Sequence, residues 1–123
     1  MEDEIKQLIK QRRPLEAEVQ ILRSGFAENV QIVGSGKVER INSLVKQIIL
    51  VDGWLLLLTE DEAYVIKRHL IDGIDWPRIA VEYKGIWGED YAKSERTLKT
   101  YQQRALSKIV KFTKEQNTYP DFM

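Results

Sequence analysis

The sequence predicts an all-α protein. Apolar residues recur every three or four positions along most of the 123-residue chain, which is the period of a helix with one buried face. No stretch alternates apolar and polar residues in the way that a half-buried strand does. Prolines, glycines and helix-capping residues fall between the periodic stretches. Together these observations predict helices joined by short turns.

The composition is that of a globular protein whose charges balance. Hydrophobic residues make up 43% of the chain and charged residues 31%, and the 19 basic residues cancel the 19 acidic ones. Any contact with a polyanion should therefore be local. The lack of cysteine excludes disulfides and fits a cytoplasmic protein. The most apolar run, residues 48–58, is shorter than the about 20 residues that span a bilayer, so we expect no membrane contact.

Two short helices are predicted at the start of the chain. Residues 3–13 carry one apolar patch, and Pro14 suits the first turn of the next helix, where a missing N–H has no partner. The second helix has a single narrow apolar stripe, which is typical of contact with another helix. We expect this stripe either to join subunits in an oligomer or to fold back on the third helix. Its members are Leu15, Val19, Leu22 and Phe26.

A boundary is predicted at Gly34-Ser35-Gly36, which has the composition of a flexible linker. It divides an N-terminal helical extension, residues 1–33, from a second region, residues 37–116. Residues 117–123 are expected to form a flexible tail.

The third helix is predicted to start at Lys37 and to end or bend at Asp52-Gly53. Residues 54–58 are apolar on every side and should be enclosed by the domain or by a partner subunit. The expected buried face of this helix consists of Val38, Ile41, Leu44 or Val45, and Ile48.

The fourth helix has the clearest start. Thr59 and Glu62 form a capping-box pattern, and Asp72-Gly73 is a typical helix end, because glycine adopts the left-handed conformation there. The inward residues should be Ala63, Ile66 and Leu70.

A short fifth helix should begin after Asp75 and end near Gly85. Its inward residues should be Trp76, Ile79, Ala80 and Tyr83. A loop of residues 85–93 follows, in which Trp87 is expected to pack back on the core, since an indole ring seldom stays exposed.

The last helix, from Ser94 to Lys114, concentrates positive charge. It holds six Lys or Arg residues and one acid, Glu95, a local charge of +5 on a chain whose total is zero. Ser94 is a suitable N-cap, and Lys108, Lys111 and Lys114 complement the negative end of the helix dipole. An apolar stripe is expected at Leu98, Tyr101, Ala105, Ile109 and Phe112. The opposite face consists of hydrogen-bond donors: Arg96, Thr97, Lys99, Thr100, Gln102, Gln103 and Arg104.

Two helices joined by a turn, the second with a polar and basic N-terminal half, have the geometry that inserts a helix into the major groove of DNA. Arginine and lysine there bind guanine or phosphate, glutamine binds adenine, and a helix N-terminus binds phosphate. The candidate DNA-binding residues are Lys93, Ser94, Glu95, Arg96, Thr97, Lys99, Thr100, Gln103 and Arg104.

Several short motifs follow one another over residues 58–110. They are Leu58-Thr-Glu-Asp-Glu62, Gly73-Ile-Asp-Trp76, Ile79-Ala80, Ser94-Glu-Arg-Thr-Leu98 and Arg104-Ala-Leu106 with Lys108-Ile109. In this order and spacing they resemble region four of the vegetative sigma factors, a helix-turn-helix domain that recognises the upstream promoter hexamer. With its helical N-terminal extension, the whole chain is similar to the ArpU and RinA groups of phage-encoded transcription regulators.

The resemblance implies a sigma-region-four-type helix-turn-helix at the C-terminal end and an all-helical extension before it. It implies a late-gene activator that binds double-stranded DNA and contacts RNA polymerase. Its DNA contacts would fall on Glu95, Arg96, Lys99, Thr100 and Arg104. Two features depart from the family pattern. Glu95 stands where a basic or hydroxyl side chain is common, and the loop of residues 85–93 is longer than usual.

The sequence indicates neither an enzyme nor a cofactor or metal site. His69 is the only histidine and has no spaced carboxylates around it, which favours a structural or surface role. Gly34-Ser-Gly-Lys37 lacks the spacing of a phosphate-binding loop, and no serine lies in a nucleophile elbow.

Two other functions fit the same pattern. One is a small-terminase-like or replication-initiator subunit, which would form a ring rather than a monomer or dimer. The other is a module that binds RNA polymerase or a host protein without touching DNA, which would show no salt-dependent DNA binding.

Overall fold

A computed structural model describes residues 1–24 and 36–116, and its regular structure there is entirely helical. The all-α prediction is therefore confirmed for these residues. A turn of π-helix, Lys67–Ile71, continues the fourth helix, and a 3-10 turn, Glu89–Tyr91, precedes the sixth. The α-helices are α1 (Glu2–Lys10), α2 (Arg12–Arg23), α3 (Lys37–Leu56), α4 (Glu60–Ile66), α5 (Trp76–Trp87) and α6 (Glu95–Gln116). Within the described ranges, no helix has both the length and the apolar character needed to cross a membrane.

Three of the local signals for helix starts and ends are confirmed, those at Thr59, Gly73 and Asp75. The Thr59 hydroxyl accepts from the Glu62 amide at 3.3 Å, and the Glu62 carboxylate accepts from the Thr59 amide at 3.0 Å, which completes the capping box. Asp75 caps α5 through the Arg78 amide. Gly73 has φ 69°, a left-handed backbone conformation that residues other than glycine rarely adopt.

The larger of two apolar clusters joins the first two helices to the rest of the described chain. It contains buried side chains from α1, α2, α3, the α4 region and α6, so both N-terminal helices share one core with the C-terminal ones. The division of the chain at residues 34–36 stays a prediction, since residues 34 and 35 lie outside the described part. The fully or almost fully buried members include Ile5, Ile9, Val19, Leu44, Val51, Trp54, Ile66, Ala105 and Ile109.

The smaller cluster holds α4, α5 and α6 together. It consists of Val65, Ile79, Tyr83 and Leu98, and partly buried aromatic rings surround it. Trp87 packs back on this cluster as predicted, stacked on Tyr83 with ring centres 4.3 Å apart. This stacking explains why α5 continues to Trp87 instead of ending near Gly85, as the sequence had indicated.

Asp52-Gly53 was predicted to end or bend the third helix, and the predicted end is wrong, while the bend stays a prediction. α3 passes through Asp52 and Gly53 and continues to Leu56. A glycine inside a helix costs only about 1 kcal/mol, whereas burial of Val51 and Trp54 on either side of it stabilises the helix by more. Asp52 is also held in place by Arg12, whose Nε donates to it at 2.8 Å.

Four apolar side chains that were predicted to be enclosed or inward are exposed on the chain itself. Val38 is 64% exposed, so the buried face of α3 starts later than predicted. Leu56 is 86% exposed and Leu57 is 38% exposed, so the described part of the chain does not enclose all of residues 54–58, and their enclosure by a partner subunit stays a prediction. On α6, Phe112 is 38% exposed, while Leu106 and Thr113 are buried. The contact face of α6 is thus rotated slightly from the stripe that residue types alone suggest.

The narrow stripe of α2 faces the interior of its own chain. Leu15 and Val19 are buried, and Leu22 packs against the same cluster. These three side chains therefore pack within their own chain, as the second alternative predicted. Their role in an oligomer stays a prediction, because the structure does not leave them exposed to a second subunit. Phe26 lies outside the described residues.

Candidate nucleic-acid interface

An ion pair and the two clusters fix the position of α6. Lys108 Nζ lies 2.7 Å from Glu62 Oε1, and Glu62 is only 1% exposed. Burial alone would raise the pKa of Glu62, but hydrogen bonds from Lys108 and Thr59 outweigh it and lower this pKa below its ordinary value. Lys108 therefore ties α6 to the first turn of α4. Because α6 continues to Gln116, its last turn contains Lys114 and not Lys108, so the predicted dipole role of Lys108 is wrong.

A network of charged side chains fixes α5 on α4 and the π-helical turn. Arg68 donates to both oxygens of Glu82 and to Asp72, at 2.7–2.9 Å, and the Tyr64 hydroxyl also donates to Glu82. The carboxylates raise the pKa of Arg68 and keep it charged. These bonds hold α4 and α5 in one fixed arrangement, and α6 packs against both helices.

The N-terminal turn of α6 uses its hydroxyl groups locally. The Thr97 amide donates to the Ser94 hydroxyl at 3.2 Å, which confirms Ser94 as the N-cap, and the two hydroxyls lie 3.0 Å apart. The Thr100 hydroxyl donates to the Arg96 carbonyl oxygen. These three predicted DNA contacts thus have intramolecular partners in the free protein, while Glu95 is exposed and Lys93 is half-buried.

The basic side chains of this half of α6 have no acidic partners among residues 1–24 and 36–116. Arg96, Lys99 and Arg104 are exposed, and within residues 1–24 and 36–116 none forms an ion pair. The Arg104 guanidinium carbon instead lies 5.3 Å from the centre of the Tyr101 ring. By contrast, five other arginines of the described chain pair with carboxylates: Arg12, Arg13, Arg40, Arg68 and Arg78.

Gln103 faces α1. Its side-chain amide donates to the Glu2 carboxylate at 2.9 Å, a contact between residues 101 positions apart in the chain. Met1 and Glu2 also border a groove with Ser107 and Lys111 of α6. The start of α1 therefore lies against the middle and C-terminal part of α6.

His69 joins the π-helical turn to α5 and α6. Its Nδ1 lies 2.6 Å from the Gln102 side-chain oxygen, which can only accept, so this nitrogen carries the proton. Its ring stacks on Trp76 with ring centres 4.0 Å apart. Burial lowers the pKa of His69, the bond to Gln102 opposes this, and three lysines lower it further: Lys6, Lys10 and Lys99.

Sequence reasoning missed two parts of this region. Gln102 was assigned to the donor face, yet it is 8% exposed and bonds to His69, because the α6 contact face includes it. Lys6 and Lys10 of α1 were not considered as site residues. Their spacing of four residues, which puts them on one side of a helix, was the available signal.

Among the described residues, no group of histidine and acidic side chains is arranged to hold a metal ion. No family model, curated protein or solved structure matches the chain.

Proposed function

We propose that this protein is a sequence-specific regulator of transcription, of the phage type, that binds double-stranded DNA with α6 in the major groove. One observation carries the proposal. The exposed side of the first half of α6 presents Arg96, Lys99 and Arg104, none of which forms an ion pair within the described residues, whereas five other arginines there pair with carboxylates. Unpaired cations on one rigid surface favour a polyanionic partner.

The packing of α5 against α6 supports the proposal that these two helices form a helix-turn-helix motif. α5 and α6 pack on each other through Ile79, Tyr83 and Leu98, and α6 follows a connection of seven residues that begins at Gly88. In this reading α6 is the recognition helix, and its early residues meet base edges. The tight packing of its inner face supports a fixed orientation, which base recognition requires.

In this proposal, different residues of α6 provide affinity for DNA and recognition of its sequence. Because the net charge is zero, general attraction to DNA is weak, and affinity depends on the few phosphates that α6 neutralises. Arg96 and Arg104 have the bidentate donors that suit guanine, and Lys99 suits phosphate. Because the sequence resembles region four of the sigma factors, we also propose that the protein contacts RNA polymerase.

Selection of bound sequences from random duplex DNA, at two salt concentrations, tests the function. We expect one enriched motif at both concentrations and weaker recovery at the higher one, because phosphate contacts are lost with salt. A palindromic motif would indicate a symmetric dimer, and a single half-site a monomer. Recovery of unenriched DNA at both concentrations would contradict sequence-specific binding.

The Glu2–Gln103 contact gives a separate prediction. Glu2→Gln should raise DNA affinity by a few-fold, since it removes a negative charge beside the proposed reading surface. Two charges about 4 Å apart interact by about 1 kcal/mol in water, or roughly fivefold in affinity. Fluorescence anisotropy with a selected duplex measures the change.

Asp3→Asn is the matched control for this variant. Asp3 lies in the same first turn and is exposed, but no bond joins it to α6. Both substitutions weaken the interaction with the α1 dipole equally, so any difference between them comes from the position beside Gln103. Equal affinities for the two variants would argue against a DNA surface at Gln103.

A further inference from the structure

Two lysines of α1 stand on the flank of this helix that faces α6. Lys6 and Lys10 are four residues apart, so they share one side of the helix, and Glu2, four residues before Lys6, is on that side as well. Glu2 bonds to Gln103 of α6. Ile5 and Ile9 fix the helix in the core, since both are completely buried.

α1 runs antiparallel to α6, so its C-terminal end lies beside the N-terminal half of α6. The start of α1 contacts Gln103 and borders Ser107 and Lys111. α1 also packs on the π-helical turn that carries His69, and His69 bonds to Gln102, one turn from Lys99. The positive charges of Lys6, Lys10 and Lys99 all lower the pKa of His69, which agrees with this placement. These lysines therefore lie at the end of α6 that carries the proposed base contacts.

Among the described residues, no acid lies within ion-pair distance of Lys6, Lys10 or Lys99. Asp72, at the end of the π-helical turn that α1 packs on, is already held at 2.7 Å by both Arg13 and Arg68. Like charges that share one surface repel each other, and a bound anion relieves that repulsion.

We propose that Lys6 and Lys10 of α1, together with Lys99, form a second DNA contact that binds the phosphate backbone beside the groove read by α6. This inference rests on the proposed function and extends it to the N-terminal helix. Lysine suits such a contact because its ammonium group is a compact charge that binds phosphate without reading sequence. α1 would then position α6 on the duplex and add affinity.

The salt dependence of binding tests this contact. Each phosphate neutralised by a protein cation contributes about 0.9 to the slope of log affinity against log salt concentration. Lys6→Gln/Lys10→Gln should therefore lower the magnitude of the slope by about 2 and weaken binding to selected and random duplexes in the same proportion. Glutamine keeps much of the aliphatic stem and the helix propensity, and thermal melting checks that the variant is folded.

Lys46→Gln is the matched control, to be compared with Lys10→Gln. Each removes one positive charge from an exposed helical position, but Lys46 lies on α3. Lys10→Gln should reduce the slope by about 1, and Lys46→Gln should leave it unchanged. Equal effects would show that only net charge matters and would overturn the inference.

His69 supplies a readout that does not depend on affinity. It is the only histidine, so its imidazole resonances are unique in a proton NMR titration. The charges facing it are Lys6 and Lys10 from α1 and Lys99 from α6, with uncharged Gln102 and Trp76 as its direct contacts. Phosphates bound to these lysines should raise the His69 pKa in the complex with a selected duplex.

The outcomes separate the two proposals. If the natural protein binds no DNA, both proposals are wrong. If it binds a selected duplex but Lys6→Gln/Lys10→Gln keeps the natural slope and the His69 pKa is the same with and without DNA, the α1 contact is wrong while the proposed function stands.

Discussion

Replacing Arg96, Lys99 and Arg104 together by alanine is expected to abolish sequence-specific DNA binding. Each arginine that contacts a base contributes about 1–3 kcal/mol, and Lys99 adds a phosphate contact. The combined loss should be at least about 3 kcal/mol, which is more than a hundredfold in affinity. Anisotropy titrations with a selected duplex measure this loss.

The fold should tolerate these changes. All three side chains are exposed, and alanine is the best helix former, so the helix itself should not be weakened. Arg104→Ala removes a contact with Tyr101, and we therefore expect a small fall in melting temperature. The control is Lys111→Ala/Lys114→Ala, which removes two charges from the far end of α6. If the control weakens binding as much as the triple variant does, the reading surface is misplaced.

Lys108→Met should destabilise the protein by about 2 kcal/mol. It leaves the buried Glu62 carboxylate without its cation, and breaking a buried pair in this way costs about 3–5 kcal/mol when water cannot enter. The Lys108 side chain is 40% exposed, so water reaches the site and reduces the effect. Urea unfolding followed by circular dichroism gives the free energy of unfolding.

A second substitution should restore much of that loss. Glu62→Gln removes the buried charge and keeps the capping box, because glutamine is also accepted at that position. The double variant Glu62→Gln/Lys108→Met should thus be more stable than Lys108→Met alone. Lys111→Met is the control, since its ion pair with Glu115 is exposed and 4.0 Å long. A double variant no more stable than Lys108→Met would contradict this account of the pair.

The lowered pKa of Glu62 makes the free energy of unfolding depend on pH in the acidic range. The pKa of Glu62 is lower in the folded protein than in the unfolded chain, so the folded state binds its proton more weakly. The stabilisation is fully present above the unfolded pKa, about 4.3, and is lost as the pH falls through the folded value. Glu62→Gln should therefore lose less stability than the natural protein between neutral and acidic pH.

Local signals predicted the C-terminal helices well because these signals act within one turn. The capping box at Thr59, the Asp75 cap and the left-handed Gly73 all depend on neighbouring residues only. The course of α3 was mispredicted because its Asp52-Gly53 pair is a local stop signal that tertiary packing overrides. Trp54 on one side and the Arg12 ion pair on the other stabilise the continuous helix.

The candidate site was predictable only in part, because some of its contacts depend on tertiary packing and not on neighbouring residues. The charge excess of α6 and its Ser94 cap can be read from the sequence, and they identify the exposed cations. The Glu2–Gln103 bond and the grouping of Lys6 and Lys10 with Lys99 join residues about a hundred positions apart. Such contacts depend on how α1 packs in the core, which residue periodicity does not specify.

Equilibrium binding to a selected duplex and to a scrambled duplex of the same composition, across a range of salt concentrations, tests the central claim most directly. We expect the selected duplex to bind at least about a thousandfold more tightly. We also expect affinity for both duplexes to fall steeply with salt, and the triple alanine variant to lose the preference. Equal affinity for the two duplexes, or no salt-dependent binding at all, would contradict a DNA-reading role for α6.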